Sequence, residues 1–409
     1  MWTFQLLILG LIISDYILNT ISEILNRRTL KTTLPSEVSD IYEADAYEKS
    51  QSYQKECISF SILESSFSLL LIVTVIVTGF FSRIDTVIDL YTQNSLMKGL
   101  LFFSSMIFLS QLLSLPFSLY KTFYIESKYE FNTTKLSTFF LDLVKGMTLS
   151  VLIGLPLLAL ILWFFEVFTI WGWLLAYSAL LVVQLLLFFL APTVIMPLFN
   201  KFEPLEDEAL KIIIMEYAKK QKFKLKNILV MDGSKRSTKS NAFFTGFGKN
   251  KRVVLFDTLI KNHSHDELLT IVAHEIGHYK RKHIPKMLMI SFVSTGILFF
   301  LLGQSLQFPN LVQSIGFTEN SIYASLILCS FLFQPINQIL SVISSKISRS
   351  HEYEADAFAA QTTQKPIALI TALKKLSKDN MSHLTPHPFT VFLTYSHPPV
   401  HKRIKAMMP

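Results

Sequence analysis

Seven long apolar runs constrain the fold of this 409-residue chain more than any other feature of its sequence. They lie near residues 4–22, 65–82, 99–118, 148–166, 170–191, 287–306 and 322–341. A helix that crosses the hydrocarbon core of a bilayer needs about 20 apolar residues, so each run can form a membrane span. Only 17% of the residues are charged, against about 25% in ordinary soluble domains. The sequence therefore predicts a mainly α-helical, multi-pass membrane protein with about seven transmembrane helices.

The first apolar run is expected to be a retained span rather than a signal peptide. It lacks a basic leading segment and an A-x-A cleavage site, and it carries Asp15 in its middle. Signal peptides combine a basic start, a short apolar centre and small residues at the cleavage site. The run therefore counts as span one.

The positive charges follow the predicted topology. The formal net charge is +8, and Lys and Arg concentrate in the segments after spans one, three, five and seven. The links between spans four and five and between spans six and seven contain neither residue type. The positive-inside rule then places the N-terminus outside and the polar segments 193–286 and 343–409 on the cytoplasmic side. We expect contact with membrane lipid and no nucleic-acid partner, because topology accounts for the basic excess.

The stretch "IVAHEIGHYK" carries an H-E-x-x-H motif on a predicted helix. Ser264 and Glu267 have the spacing of a capping box at its start. His274 and His278 lie one helical turn apart on the same face, so both imidazoles can reach one ion. Zn²⁺ with three protein ligands and one open position polarises a carbonyl and lowers the pKa of its bound water to about 7. Glu275 is placed to take a proton from that water and pass it to the leaving amine.

A third metal ligand is expected from the stretch "SRSHEYEADAFAA". Glu352 and Asp356 share one face of a probable helix. Glu352 could complete a His₂Glu site, with Asp356 orienting a ligand imidazole. Glu354 and His351 remain alternative ligands at this point. Spans six and seven lie between the two motifs, and this excursion through the membrane would bring the two helices back together.

Two β-rich runs, "KNILVMDGS" and "RVVLFDTLI", lie shortly before the H-E-x-x-H helix and predict a small sheet. We therefore divide the chain into an N-terminal membrane region, 1–192, with spans one to five, and a metallopeptidase region, 193–409, with spans six and seven. The polar segment 23–60 is expected to extend spans one and two as helices.

The combination of HEIGH, E-x-x-A-D and "SHPPVHKRI" resembles the type I CAAX prenyl protease family of integral-membrane zinc metallopeptidases. The stretches "PFSLYKTFYIESKYEFNTTKLSTFFLDLVKG", "APTVIMPLFNKFEPLEDEAL" and "RSTKSNAFFTGFGKNKRVVLFDTLI" extend the resemblance along nearly the whole chain. Related, shorter heat-shock membrane proteases share the two metal motifs but have fewer spans. The resemblance implies spans that enclose a large chamber, one Zn²⁺ per chain, and either a bacterial inner membrane or, in a eukaryote, the endoplasmic reticulum.

The resemblance also implies roles for individual residues. His274, His278 and Glu352 would be the zinc ligands, Glu275 the general base, and Asp356 the carboxylate that supports a ligand. Asn241 would belong to the substrate cleft beside an edge strand. His397 and Arg403 would face the metal and stabilise the oxyanion or hold the substrate. Without the resemblance, a lone His before Pro-Pro is more typical of a turn. No role is assigned to His263, His265, His283, His383, His387 or His401.

The sequence offers three candidate functions. The first is removal of the last three residues from C-terminal Cys-a-a-X sequences whose Cys carries an isoprenoid, a substrate that partitions into lipid. The second uses the same zinc chemistry on damaged or misfolded membrane proteins. The third is a transporter or channel, which would leave the H-E-x-x-H helix, the E-x-x-A-D motif and the predicted sheet unexplained.

Overall fold

The computed structural model describes residues 2–31, 42–168, 171–246, 251–317 and 320–408, apart from the side chains of 2, 309 and 310. The predicted helical extensions within 23–60 are present where they are described, because one helix runs on to Arg28 and the next begins at Ala44. The part of that prediction that falls on 32–41 lies outside the described residues.

Seven helical segments of the described chain are long and apolar enough to cross a membrane, which confirms the prediction of seven spans. They are Thr3–Arg28, Ala44–Val77, Ser95–Glu126, Leu136–Phe168, Gly172–Phe199, His283–Ser305 and Ile322–Thr363. Several extend well beyond the apolar runs, because helical backbone hydrogen bonds continue into polar sequence outside the predicted spans. The enclosed chamber stays a prediction.

The helices are numbered in chain order. The membrane half contains α1 (Trp2–Arg28), α2 (Ala44–Val77), α3 (Phe80–Asp89), α4 (Ser95–Tyr120), α5 (Leu136–Leu149), α6 (Leu155–Phe168), α7 (Gly172–Leu190) and α8 (Met196–Phe199). Three π-helical turns, at Lys121–Glu126, Ser150–Gly154 and Ala191–Ile195, continue α4, join α5 to α6 and join α7 to α8. The last turn contains Pro192, which cannot donate a backbone hydrogen bond.

The second half contains a small mixed sheet surrounded by helices. Its helices are α9 (Glu208–Lys220), α10 (Asp257–Asn262), α11 (His265–Lys280), α12 (His283–Ser305), α13 (Ile322–Thr363), α14 (Pro366–Asp379), α15 (Pro388–Leu393) and α16 (Val400–Met407). Its strands are β1 (Phe202–Pro204), β2 (Leu225–Met231), β3 (Ala242–Thr245) and β4 (Lys251–Phe256). They pair in the order β1-β2-β4-β3, with β2 and β4 parallel and the outer pairs antiparallel. The predicted sheet is confirmed, and β3 is one of its edge strands.

A hydrophobic core joins this sheet to the helix of the H-E-x-x-H motif. Leu268, Val272 and Ile276 of α11 are almost fully buried and belong to one cluster with Val253 and Leu255 of β4. The spacing of the three α11 side chains places them on one helical face. The core therefore fixes which face of α11 is turned away from the sheet.

Close packing of α11 against α13 depends on Gly277. A Cβ atom at this position would lie 3.1 Å from the ring of Phe358 and 3.2 Å from the Cα of Ala355. Ala355 itself is fully buried. The small residue lets the two helix backbones approach each other, which brings the two predicted metal motifs together.

Candidate metal centre

Helix α11 is held by the predicted capping box. The backbone N–H of Ser264 donates to Glu267 Oε2 over 2.8 Å, and the Glu267 N–H lies 3.4 Å from Ser264 Oγ. Lys375 of α14 also donates to Glu267 Oε2 over 2.8 Å. These contacts fix the start of the helix, so its register and the direction of its polar face are defined.

Three side chains from α11 and α13 converge on one point. The Nε2 atoms of His274 and His278 are 3.0 Å apart. Glu352 Oε2 lies 3.5 Å from His274 Nε2, and Glu352 Oε1 lies 3.3 Å from His278 Nε2. Among the described residues, these three form the group able to hold a metal ion. The alternative ligands His351 and Glu354 are not part of it.

The donor atoms fit a zinc ion. Zinc–nitrogen and zinc–oxygen bonds of about 2.0–2.2 Å in tetrahedral geometry place neighbouring ligand atoms about 3.3 Å apart, close to the observed separations. Glu352 Oε2 is buried without a hydrogen-bond partner. Burial alone would lower the pKa of His274, but Asp356 and Glu352 outweigh it and raise the pKa to about 9. The carboxylates thus favour positive charge between the imidazoles, which is the charge a bound cation supplies.

The imidazole of His274 is supported by a buried carboxylate and guanidinium. Asp356 Oδ1 lies 2.9 Å from His274 Nδ1, within ion-pair distance although the two atoms are not aligned for a full hydrogen bond. Arg403 of α16 donates to both oxygens of Asp356, through Nε over 2.7 Å and Nη2 over 2.6 Å. Its Nη1 lies 3.2 Å from Glu352 Oε2, within ion-pair distance but without the alignment of a hydrogen bond. Arg403 therefore contacts both carboxylates that surround His274.

Glu275 lies beside the three donor atoms without joining their group. Its side chain lines the cavities on both sides of the site. Burial raises the pKa of the Glu275 carboxyl, and the neighbouring His274 and His278 partly counteract this effect. A carboxylate in this position can accept a proton from a water molecule near the donor atoms.

The loop before α16 brings His397 to the same site. His397 Nε2 lies 3.4 Å from Glu352 Oε1. Arg349 of α13 ties this loop to α15 by donating from Nη1 to the carbonyl oxygens of Tyr395 in the loop and Val391 in α15. His397 and Arg403 both line the cavity next to the metal donors.

Asn241 lies at the start of the edge strand β3. Its carbonyl accepts a hydrogen bond from the N–H of Phe256, and its Oδ1 accepts one from the N–H of Ala242. It lines the same cavity of about 870 Å³ as His274, Glu275 and His397. All eight residues singled out in the sequence thus lie in or beside one site, and their individual roles stay predictions.

His283 also contacts the site, although no role was expected for it. Its Nδ1 lies 3.0 Å from Nδ1 of His278, and its Nε2 lies 3.2 Å from Glu354 Oε2. The chain turns at Lys282, whose φ is 59°, so the first residue of α12 folds back onto α11. The available signal was the five-residue spacing from His278 to a histidine that precedes a membrane span.

The other five histidines without an assigned role have contacts elsewhere. His263 Nδ1 bonds the carbonyl of Leu259, His265 pairs with Asp207, and His401 Nδ1 bonds the carbonyl of Leu384. His383 lies by the Asn26 carbonyl, and His387 caps α15 by accepting from the N–H of Phe389. These contacts give each of them a structural explanation.

Two apolar cavities lie on the His278 side of the site. One, of about 390 Å³, is lined by Glu275 and His278 together with Phe188, Phe244 and Met287. The other, of about 710 Å³, shares Phe188 and Phe244 with it and is lined further by the π-helical turn after α7, the end of α11 and the start of α12. Apolar surface therefore extends from beside the metal donors to the end of α7 and the start of α12, where Lys280 and Lys282 also line the second cavity.

Comparisons with known proteins agree along the whole chain. A family model described as the N-terminal region of CAAX prenyl proteases, with five membrane helices, matches residues 24–201. A model for peptidase family M48 matches residues 204–408. The two matches together cover residues 24–408 apart from 202 and 203.

Individual relatives show the same similarity. The CAAX prenyl protease 1 homolog of Oryza sativa subsp. japonica is 34% identical over 98% of this chain and 96% of its own length. CAAX prenyl protease 1 of Saccharomyces cerevisiae is 34% identical over 92% of this chain and 89% of its own length. The crystal structure of S. mikatae Ste24p superposes with a TM-score of 0.94 at 32% identity, over 99% of each chain.

Proposed function

Because the chain belongs to the type I CAAX prenyl protease family of integral-membrane M48 metallopeptidases, we propose that it removes the terminal tripeptide from prenylated Cys-a-a-X sequences. The observation that carries the peptidase chemistry is the convergence of His274, His278 and Glu352 beside Glu275. The transporter alternative gives no reason for this arrangement.

We propose that His274, His278 and Glu352 hold one zinc ion. When bound, zinc supplies Lewis acidity that polarises a peptide carbonyl and acidifies a water molecule. Glu275 accepts a proton from the attacking water and delivers it to the nitrogen of the leaving peptide. Arg403 and His397 line the cavity beside the donors, where their N–H groups bind and orient the carbonyl oxygen of the substrate. Asn241 contacts the extended peptide beside the edge strand β3.

The apolar cavities favour a prenylated substrate over an unmodified one. In a Cys-a-a-X sequence the cleaved bond directly follows the cysteine, so the isoprenoid on its sulfur must start within a few ångströms of the reacting carbonyl. The cavity lined by Glu275, His278, Phe244 and Met287 provides apolar surface at that distance. Burying the isoprenoid there contributes binding energy that a bare cysteine lacks.

The family and its eukaryotic relatives support the endoplasmic reticulum as the membrane. The distribution of Lys and Arg supports a cytoplasmic-facing site. We also propose that the chain divides into an N-terminal membrane region, 1–192, and a metallopeptidase region, 193–409.

The test uses purified protein in lipid and two matched peptides ending in Cys-a-a-X, one farnesylated and one bare, with products identified by mass spectrometry. We expect tripeptide release mainly from the farnesylated peptide, and none with the Glu275→Gln variant. Equal cleavage of both peptides, or cuts away from the cysteine, would contradict the substrate and favour the quality-control function.

A matched pair of variants tests the apolar cavity. Met287→Gln places an amide in the cavity lining, and we expect it to raise KM for the farnesylated peptide about tenfold, equivalent to about 1.4 kcal/mol. Met289→Gln makes the same change two residues away on α12, at a side chain that is 62% exposed. An equal effect of both variants would contradict the assignment of the cavity.

A further inference from the structure

The two metal-binding imidazoles are supported at their rear nitrogens in different ways. Nδ1 of His274 meets the carboxylate of Asp356 directly at 2.9 Å. Nδ1 of His278 instead meets a second imidazole, that of His283, at 3.0 Å. His283 in turn reaches a carboxylate, because its Nε2 lies 3.2 Å from Glu354 Oε2. The chain His278–His283–Glu354 is therefore a second support for the metal site.

One set of tautomers satisfies every contact in this chain. A histidine that binds a metal through Nε2 carries its proton on Nδ1. His278 must then donate from Nδ1, so His283 has to accept with an unprotonated Nδ1. The remaining proton of His283 lies on Nε2, where it donates to the Glu354 carboxylate. All the donors point the same way, from the metal ligand outward to the carboxylate.

The surroundings of His283 hold its ring in one place. His283 is 2% exposed. Its ring stacks on that of His351, with the ring centroids 3.9 Å apart and the planes inclined by 8°. The left-handed backbone of Lys282 sets the turn that delivers it to His278. Glu354 is half-exposed at its outer end. His283 is thus fixed by packing, whereas Glu354 reaches it from α13.

We propose that His283 and Glu354 are positioning residues for the metal ligand His278. This inference rests on the proposed zinc site. His283 fixes the proton of His278 on Nδ1 and the orientation of its ring, so that Nε2 faces the metal. Glu354 fixes the tautomer of His283. Loss of such a partner costs about 10–100-fold in metal affinity in other proteins.

The experiment measures the dissociation constant of zinc for the purified full chain by competition with a chelator. His283→Leu removes the acceptor for His278, and we expect a rise in the dissociation constant of about 10–100-fold. His283→Asn keeps an acceptor oxygen near the position of Nδ1, and we expect it to recover a large part of that loss. Glu354→Leu should show a smaller loss than His283→Leu, and Glu354→Gln, whose amide oxygen still accepts, should lie close to the unmodified protein.

His263→Leu is the matched control. His263 is 7% exposed and bonds a backbone carbonyl away from the metal donors, so its loss should leave the zinc dissociation constant unchanged. A purely structural role of His283 would lower the thermal stability of the metal-free protein without changing zinc affinity. The two Glu354 variants keep the inference testable if His283→Leu fails to fold.

The outcomes separate this inference from the proposed function. Unchanged zinc affinity in the His283 and Glu354 variants of an active, zinc-binding protein would overturn the inference alone. Failure of the unmodified chain to bind zinc would remove both. Recovery in His283→Asn and in Glu354→Gln, beside losses in the two Leu variants, would establish the relay of hydrogen bonds.

Discussion

Removing both charges of the ion pair between Asp356 and Arg403 should lower the free energy of unfolding less than removing either charge alone. Their side chains are 2% and 11% exposed. Two hydrogen bonds of 2.7 and 2.6 Å join them, and the same carboxylate lies 2.9 Å from His274 Nδ1. Each charge is therefore compensated mainly by the other side chain of the pair.

The size of the expected loss of stability follows from the burial of the two side chains. Removing one partner of a buried pair leaves an uncompensated charge and costs about 3–5 kcal/mol. We expect a loss of this size in Asp356→Leu and in Arg403→Met. Removing both charges costs little in itself, because Glu352, the other carboxylate that Arg403 contacts, is compensated by the metal in the zinc-loaded protein. The buried Nδ1 of His274 loses its nearby acceptor, at about 1–3 kcal/mol. The double variant should therefore be more stable than either single variant.

The assay is denaturant unfolding of the zinc-loaded protein in one mild detergent, with the free energy of unfolding measured for all four forms. Asp266→Leu is the control, because Asp266 pairs with Lys365 at a site where the two side chains are 54% and 40% exposed. Exposed pairs contribute about 0–1 kcal/mol. A double variant less stable than both single variants would refute the argument from charge balance.

Four further predictions concern the helix that carries the motif. Glu275→Gln should lower kcat about 10²–10⁴-fold with an unchanged zinc dissociation constant; loss of zinc would contradict its role as base. Gly277→Leu should separate α11 from α13 and reduce the zinc content measured by atomic absorption, while Gly277→Ala should have a smaller effect. Ser264→Ala should lower the free energy of unfolding by about 1 kcal/mol. Burial alone would raise the pKa of Glu267, but Lys375 and the Ser264 N–H hold it below its ordinary 4.5. Its contribution is therefore full above pH 4.5 and lost as pH falls through the lowered pKa, so Glu267→Gln should flatten this acid dependence of the free energy of unfolding.

The seven spans could be predicted from sequence because the bilayer imposes a minimum length of apolar helix. Helix ends were less predictable. The second span begins at Ala44, far before its apolar run, because nothing in polar sequence stops a helix unless Gly, Pro or a cap intervenes. The strand pair β2–β4 was visible from β-rich composition, while its parallel register depends on contacts distant in sequence.

The metal donors could also be predicted, since both motifs are local helix patterns. His274 and His278 on one helix, and Glu352 and Asp356 on another, each follow from the four-residue repeat. Arg403 and His397 carry no such pattern, and only the family resemblance pointed to them. Their positions are set by α16 and by the loop that Arg349 holds. Sequence spacing contains no trace of these contacts.

The relay through His283 follows from the geometry of α13. Glu352 and Asp356 are four residues apart, so they share the face that meets His274 and the metal donors. Glu354 lies two residues from each and is rotated by about 200° from that face, so its carboxylate cannot take the position that Asp356 has beside His274. An imidazole at the start of α12 bridges the gap, because it accepts at one nitrogen and donates at the other. The carboxylate of Glu354, on the opposite face of α13, thus reaches His278 through His283, which the turn at Lys282 places at the start of span six.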